Sequence, residues 1–68
     1  MFSKELHQAG HVKRFSITAA TGAGWEVREE SDSEIVRRVH YRDWHRVERA
    51  KLRMELQVSD LEQRGWRS

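Results

Sequence analysis

The chain contains neither cysteine nor proline, and both absences restrict what it can be. Without cysteine it can form neither a disulfide nor a thiolate metal ligand. Chains of 68 residues usually need a disulfide, a metal or a partner subunit for stability, so self-association is the expected supplement. The lack of cysteine also fits a reducing cytoplasm. The lack of proline leaves the C-terminal half without a residue that would break a helix.

Long apolar runs and a large surplus of charge are missing as well. No stretch approaches the roughly 20 apolar residues of a membrane span. Lys4, Glu5 and His7 stand where a signal peptide would have its apolar core. We therefore expect a soluble, cytoplasmic protein with no membrane partner. Thirteen Lys and Arg against eleven Asp and Glu give a net charge of only +2, so nucleic acid is a possible but not a favoured partner.

An alternation of apolar and polar residues predicts strands in the first half of the chain. Phe15 and Ile17 alternate with polar residues in a strand over 12–20, and Trp25 and Val27 do so in a second over 25–30. Segments rich in glycine, serine and aspartate separate the strands, as expected of tight turns.

The third strand and the N-terminus are less regular. Residues 34–41 are rich in β-branched side chains and predict a third strand, with Ile35 on the face of Val39 and Val36 on the opposite face. Residues 1–11 lack a clear period and predict a flexible N-terminal arm. The domain is then a single β-β-β-α unit over 12–68.

After Arg42 the period changes to about 3.6, which predicts one long helix that ends near Arg64. Asp43 is a suitable N-cap, and Gly65 is a natural residue for the end of the helix. The fold class is therefore α+β, a three-stranded antiparallel β-meander followed by one long C-terminal amphipathic helix. The main apolar face of the helix, suited to packing on the sheet, comprises Trp44, Val47, Ala50, Met54, Val58 and Leu61.

A second, smaller apolar stripe lies elsewhere on the helix. It consists of Leu52 and Leu56, one turn apart and near His45. Two exposed leucines are ordinary in a soluble protein. The chain can form no disulfide and no thiolate metal site, and the helix is longer than is needed to cover a small sheet. We therefore favour an oligomer interface at Leu52, Leu56 and His45. Rows of glutamate and arginine beside the stripe could match in an antiparallel or crossed helix pair.

Arginines cluster roughly opposite the main apolar face. They could form a solvated face with ion pairs four residues apart, an arginine-rich protein interface, or a row of phosphate contacts. Glu48, Glu55, Asp60 and Glu62 lie on the same helix and would repel phosphates. The residues that could contact a nucleic acid are Arg42, Arg46, Arg49 and Arg53.

Candidate chemistry is sparse. His7 and His11 have a spacing that could bind a metal on a helix, but no third ligand accompanies them. His40, Asp43 and His45 cluster where the third strand meets the helix and could form an acid–base pair. No nucleophile or enclosed pocket is indicated, and capping is the simpler role for Asp43. We therefore predict no catalytic residues, no metal and no cofactor.

Two segments carry a family resemblance. The run Gly24-Trp25-Glu26-Val27 and the run from Asp43 to Ala50, Asp-Trp-His-Arg-Val-Glu-Arg-Ala, resemble short bacterial proteins of unknown function. Those proteins join a Gly-Trp-x-Val strand to a C-terminal helix, and the resemblance implies no activity or catalytic residue. The outline also resembles Whirly- and PUR-type single-strand binders and half of a double-stranded RNA-binding domain. A clear fourth strand is missing for the former, and a lysine cluster at the helix start is missing for the latter.

These features predict a small homo-oligomeric binding or scaffold module that is not an enzyme. The alternative is a nucleic-acid-binding protein that uses the arginine row. A more distant one is a small enzyme centred on His40, Asp43 and His45.

Overall fold

The computed structural model describes residues 2–68, which form four antiparallel strands followed by one helix. The elements are β1 (Phe2–Gln8), β2 (His11–Ala19), β3 (Trp25–Ser31), β4 (Glu34–Tyr41) and α1 (Trp44–Gln63). Each strand pairs with the next one along the chain, so the sheet order is β1-β2-β3-β4. The predicted α+β class and the meander are confirmed, but the predicted number of strands is one too few.

The additional strand is β1, which occupies most of the segment that the sequence predicts to be a flexible arm. It pairs with β2 over its whole length, from Phe2 opposite Ile17 to Gln8 opposite His11. Leu6 in its centre is fully buried. The prediction failed because only Phe2 and Leu6 on the buried face are apolar, which is too short an alternation to be read as a strand.

Two of the hairpins close with residues in the left-handed region. Ala9 and Gly10 join β1 to β2 with φ of 51° and 82°, and Asp32 and Ser33 join β3 to β4 with φ of 51° and 70°. Two successive positive φ values are typical of the type I′ turn, whose twist matches that of the strands on either side. Ala9 is a poor residue for this conformation, so the first hairpin carries little sequence signal.

A β-bulge interrupts the pairing of β3 with β4. Arg37 lies opposite Glu29, but Ile35 lies opposite Glu30, so Val36 has no partner on β3. Residues opposite each other point to the same face of a sheet. Ile35 therefore shares the face of Glu30, and its predicted placement beside Val39 is wrong, since the extra residue shifts the alternation.

The helix begins and ends with satisfied caps. The Asp43 side chain accepts a hydrogen bond from the His45 N–H at 3.0 Å, which confirms its predicted role as N-cap. Arg64 is the C-cap, and Gly65 follows it with φ of +101°. The Gly65 N–H donates to the Glu62 carbonyl and the Trp66 N–H to the Leu61 carbonyl, the two bonds of a Schellman motif.

The core lies between the helix and one face of the sheet, which we call the helix face. The helix contributes four of its eight buried residues and the first three strands contribute the others. Trp25 packs on Trp44 at the start of the helix, with ring centroids 5.0 Å apart. The predicted helix face is confirmed at four positions, while Leu61 is half-buried and Trp44 is 46% exposed. The buried set is Leu6, Phe15, Ile17, Val27, Val47, Ala50, Met54 and Val58.

The Schellman turn directs the end of the chain back onto β1. There Arg67 forms an isolated antiparallel bridge with His7. The side chain of Gln8 reinforces this return, because its amide donates to the Arg64 carbonyl at 2.9 Å. One edge of the sheet is thus covered in part by the C-terminal residues.

Candidate interaction surfaces

The opposite edge of the sheet is the open one. We call it the β4 edge, the backbone of Glu34–Tyr41 on the side away from β3. Among residues 2–68 no strand pairs with this side of β4. Unpaired main-chain groups along a strand are a ready template for pairing with another chain.

Exposed apolar side chains lie on and beside β4. Ile35 is 49% exposed and Val36 at the bulge is 66% exposed. Trp44 is the third residue after the strand ends. These three account for most of the large apolar side chains that the described residues leave exposed, and the others are Leu52 and Leu56.

A cavity of about 300 Å³ opens between the helix and β4. Val39 and Tyr41 line it from the strand and Met54 from the helix, and two arginines, Arg37 and Arg53, lie at it from opposite sides. Glu29 also lines it. The site is mostly apolar with a basic rim, and the helix leaves this part of β4 incompletely covered.

The predicted leucine stripe is present and exposed. Leu52 and Leu56 are 59% and 63% exposed, and the His45 side chain is 86% exposed. Projected at about 100° per residue, the two leucines point almost directly away from the buried face of the helix. His45 lies within 3.8 Å of the Glu48 carboxylate. The structure thus leaves this stripe exposed, and Leu56 also lines the edge of the cavity between the helix and β4.

The predicted arginine row differs from the other arginines in its electrostatic surroundings. Among residues 2–68 no carboxylate oxygen lies within ion-pair distance of its members, Arg42, Arg46, Arg49 and Arg53. By contrast Arg64, the C-cap, has an i,i+4 ion pair, with its Nε 3.1 Å from the Asp60 carboxylate. The row is therefore a cluster of positive charge without internal neutralisation within the described chain.

The other face of the sheet carries a ladder of ion pairs. Arg14 bridges two strands, with Nη2 2.8 Å from Glu5 and Nη1 3.3 Å from Glu30. Arg28 lies 2.7 Å from Glu26. The hydrogen bonds from Arg14 hold the pKa of Glu5 below its ordinary value, and the Glu5 carboxylate raises the pKa of Arg14. Ion pairs between strands and within β3 thus link the acidic and basic side chains of this face.

Asp32 ties the β3–β4 turn to the start of β2. Its Oδ1 accepts from the Val12 N–H at 2.9 Å, and its Oδ2 lies 3.0 Å from Nδ1 of His11. The Val12 N–H is the main reason why the pKa of Asp32 lies below its ordinary value, and the His11 contact adds to it. A carboxylate that accepts such bonds favours its ionised form.

The strand-to-helix junction does not assemble an acid–base pair among the described residues. The His40 ring donates from Nε2 to the Ala23 carbonyl at 2.9 Å, which anchors the β2–β3 loop. Asp43 caps the helix, and it is the main-chain N–H of His45, not its ring, that bonds to Asp43. His40, Asp43 and His45 are close in sequence, but their side chains make separate contacts: with the Ala23 carbonyl, the His45 N–H and the Glu48 carboxylate, respectively.

His7 and His11 lie on different strands rather than on one helix face. His7 is 2.9 Å from the Glu5 carboxylate, and His11 contacts Asp32. Within residues 2–68 no three ligating side chains are grouped to hold a metal ion. No helix in this part of the chain is both long and apolar enough to cross a membrane.

The sequence predicts the strand that is β4, but it does not identify the open edge of that strand as an interaction surface. Its unpaired side is a property of the sheet order, and the sequence marks it only by Ile35 and Val36, two adjacent apolar residues that no single strand face can bury.

Comparison with known proteins adds no further assignment: no family model, curated protein or solved structure matches the chain. The resemblance to short bacterial proteins stays a prediction.

Proposed function

We propose that the protein is a small non-catalytic binding or scaffold module that works as a homo-oligomer. The observation that carries this proposal is the β4 edge, an unpaired strand flanked by the exposed Ile35 and Val36. An open, partly apolar strand edge in a folded monomer favours pairing with another chain. The small core, eight buried residues among residues 2–68, also leaves a stabilising role for a partner subunit.

The leucine stripe is a second surface on which copies could meet. Leu52, Leu56 and His45 are all exposed on the outer side of the helix. Burying such side chains would add to the stability of an oligomer, since apolar area removed from water contributes about 25 cal/mol per Å².

We propose a cytoplasmic location because the chain contains no cysteine. The capping role of Asp43 supports a module without catalysis.

Light scattering coupled to size-exclusion chromatography tests the proposal. At micromolar to hundred-micromolar concentration we expect a dimer or larger species whose mass falls on dilution. A folded chain that stays monomeric throughout this range would refute self-association. Circular dichroism at each concentration separates dissociation from unfolding.

A nucleic-acid-binding function is the second candidate, and the unneutralised arginine row favours it. Arg42, Arg46, Arg49 and Arg53 lie on one side of the helix without ion pairs among the described residues. Arginines so placed could contact successive phosphates. Asp60 and the helix glutamates act against this, which keeps it second.

Fluorescence anisotropy with labelled single- and double-stranded oligonucleotides tests the second candidate. Binding should weaken steeply with salt, and the triple variant Arg46→Gln, Arg49→Gln, Arg53→Gln should reduce the salt slope by about 2–3. Arg28→Gln, which removes an arginine from the ion-paired face, is the matched control and should leave the slope unchanged. No binding of either oligonucleotide at low salt would exclude this function.

A further inference from the structure

We propose that two copies of the chain join through their β4 edges in an antiparallel pair whose two-fold axis passes midway between the two copies of Val39. This inference rests on the proposed self-association and names the contact that produces it. The two sheets would become one continuous eight-stranded sheet, with both helices on the same face. The occupant of the β4 edge is thus a second copy of the same strand.

The two edges of the sheet differ, and the difference favours β4. On β1 the main chain of His7 already pairs with Arg67. On β4 no main-chain group of the described residues takes that place. A two-fold contact uses the same patch on both copies, so an open strand edge can pair with its own copy without any second surface.

The regular part of β4 is centred on Val39. The bulge at Val36 distorts the strand at one end, and the helix N-cap, Asp43, follows shortly after the other end. Between them Arg37–Tyr41 keeps an uninterrupted register with β3. If these five residues pair with the same five residues of a second copy, with Val39 at the centre, the whole regular stretch is used.

Charge selects the same register. In a continuous sheet, residues of the same face lie opposite each other. An axis at Arg37 or at Arg38 would place that arginine directly opposite its own copy, which is destabilising. An axis at Val39 instead places valine opposite valine.

With the axis at Val39, neither Arg37 nor Arg38 lies opposite another arginine. Arg37 lies opposite the tyrosine ring of Tyr41 of the second copy, where a guanidinium is attracted to the aromatic face. Arg38 lies opposite an imidazole, His40 of the second copy. An axis at His40 would leave only three paired residues before the strand ends at Tyr41.

The exposed apolar residues fall at the ends of this ladder. In an antiparallel pair, Ile35 and Val36 of one copy run alongside the residues that follow Tyr41 in the other. That segment carries the exposed Trp44. Three of the exposed apolar side chains would thus lie near the contact.

The leucine stripe fits a symmetric contact less well. In an antiparallel two-fold helix pair, the same side of each helix meets its own copy, so the glutamate row would face glutamate and the arginine row arginine. Like charges so arranged are destabilising. The antiparallel matching expected from the sequence therefore does not follow for a two-fold pair, and the stripe remains outside the proposed contact.

Single cysteines test the proposal, because the chain has none of its own. Residues opposite each other on antiparallel strands have Cα atoms about 4.5–5.5 Å apart. This spacing is within the range for a disulfide. Val39→Cys should therefore form a covalent dimer under mild oxidation. The controls are Arg37→Cys and Leu56→Cys; the Arg37 pair would be separated by four residues, roughly 13 Å along the strand.

We expect Val39→Cys to crosslink on the order of tenfold faster or more than either control, measured on non-reducing gels. Faster crosslinking of Leu56→Cys would overturn the β4 contact but leave self-association intact. Fast crosslinking of a fourth variant, Arg38→Cys, would overturn the register. A dimer by light scattering without a fast Val39→Cys crosslink would likewise refute this inference alone. A monomer by light scattering would refute the proposed function itself.

Discussion

The main chain of Arg67 pairs with that of His7 through two hydrogen bonds. The His7 N–H donates to the Arg67 carbonyl at 2.6 Å, and the Arg67 N–H donates to the His7 carbonyl at 3.0 Å. The pair joins residues at opposite ends of the chain and covers the edge of β1. Trp66 beside it packs against the core, and the Lys13 ammonium lies 5.5 Å from its ring centroid.

Removing residues 66–68 should destabilise the protein by about 2–3 kcal/mol, through two hydrogen bonds and the half-buried Trp66. Urea unfolding followed by circular dichroism measures the loss. Removal of Ser68 alone is the control and should have little effect. If the longer truncation left the unfolding free energy unchanged, the bridge to β1 would not be formed in solution.

Alanine at Gly24 should be far more destabilising than alanine at Gly22. Both glycines have positive φ, +94° and +93°, so each variant carries backbone strain of about 1–2 kcal/mol. A Cβ at Gly24 would also collide with the Tyr41 carbonyl oxygen, whereas one at Gly22 meets open space. We expect Gly24→Ala to cost about 2 kcal/mol more than Gly22→Ala in urea unfolding, as is typical of overpacking. Equal losses would contradict the observed packing of the β2–β3 loop on β4.

Glycine at Ser33 should stabilise the β3–β4 hairpin. Ser33 has φ of 70°, and Asp-Gly is a preferred pair for a two-residue hairpin turn of this kind. Ser33→Gly should raise the unfolding free energy by about 1 kcal/mol, because the left-handed conformation strains a residue with a Cβ. Ser31→Gly, inside β3, is the control and should lower it. A loss of stability in Ser33→Gly would rule out the left-handed turn.

Asp32 should make stability depend on acid. Its pKa is lowered in the folded protein, chiefly by the Val12 N–H and then by His11. Its contribution is therefore fully present above the unfolded pKa of about 3.9 and is lost as the pH falls through the lower folded value. Carbon-detected NMR titration of the carboxyl group should give a pKa below the ordinary one.

Replacing His11 separates the two causes of that shift. In His11→Ala the pKa of Asp32 should rise but stay below its ordinary value, because the bond from the Val12 N–H remains. Leu52→Ala, remote from the turn, should leave the titration unchanged. An ordinary pKa for Asp32 in the native chain would show that the bond from Val12 is absent in solution.

Much of the fold could be predicted from the sequence where one residue pattern dominates. The helix from Trp44 follows from a 3.6-residue period of apolar side chains with Asp43 as its cap and Gly65 after its end, all of them local signals. The strands over Phe15–Ile17 and Trp25–Val27 follow from a clean alternation. β1 could not be predicted in this way, because its burial depends on pairing with β2 rather than on its own composition.

The candidate surfaces divide in a similar way. The exposure of Leu52 and Leu56 and the position of the arginine row follow from helical geometry, so they could be predicted. The open edge of β4 could not, because which strand lies at an edge depends on the order of all four. The bulge that leaves Val36 unpaired is likewise a product of packing against β3.

The sequence by itself therefore determined the local features of this protein: the helix and its caps, three of the strands, and the absence of disulfides. Periodicity, capping chemistry and composition act over a few residues, so they can be read directly from the chain. The tertiary structure alone decided the fourth strand, the covered β1 edge and the open β4 edge. Each depends on hydrogen bonds between segments far apart in sequence, such as His7 and Arg67, and no local pattern encodes such a pairing.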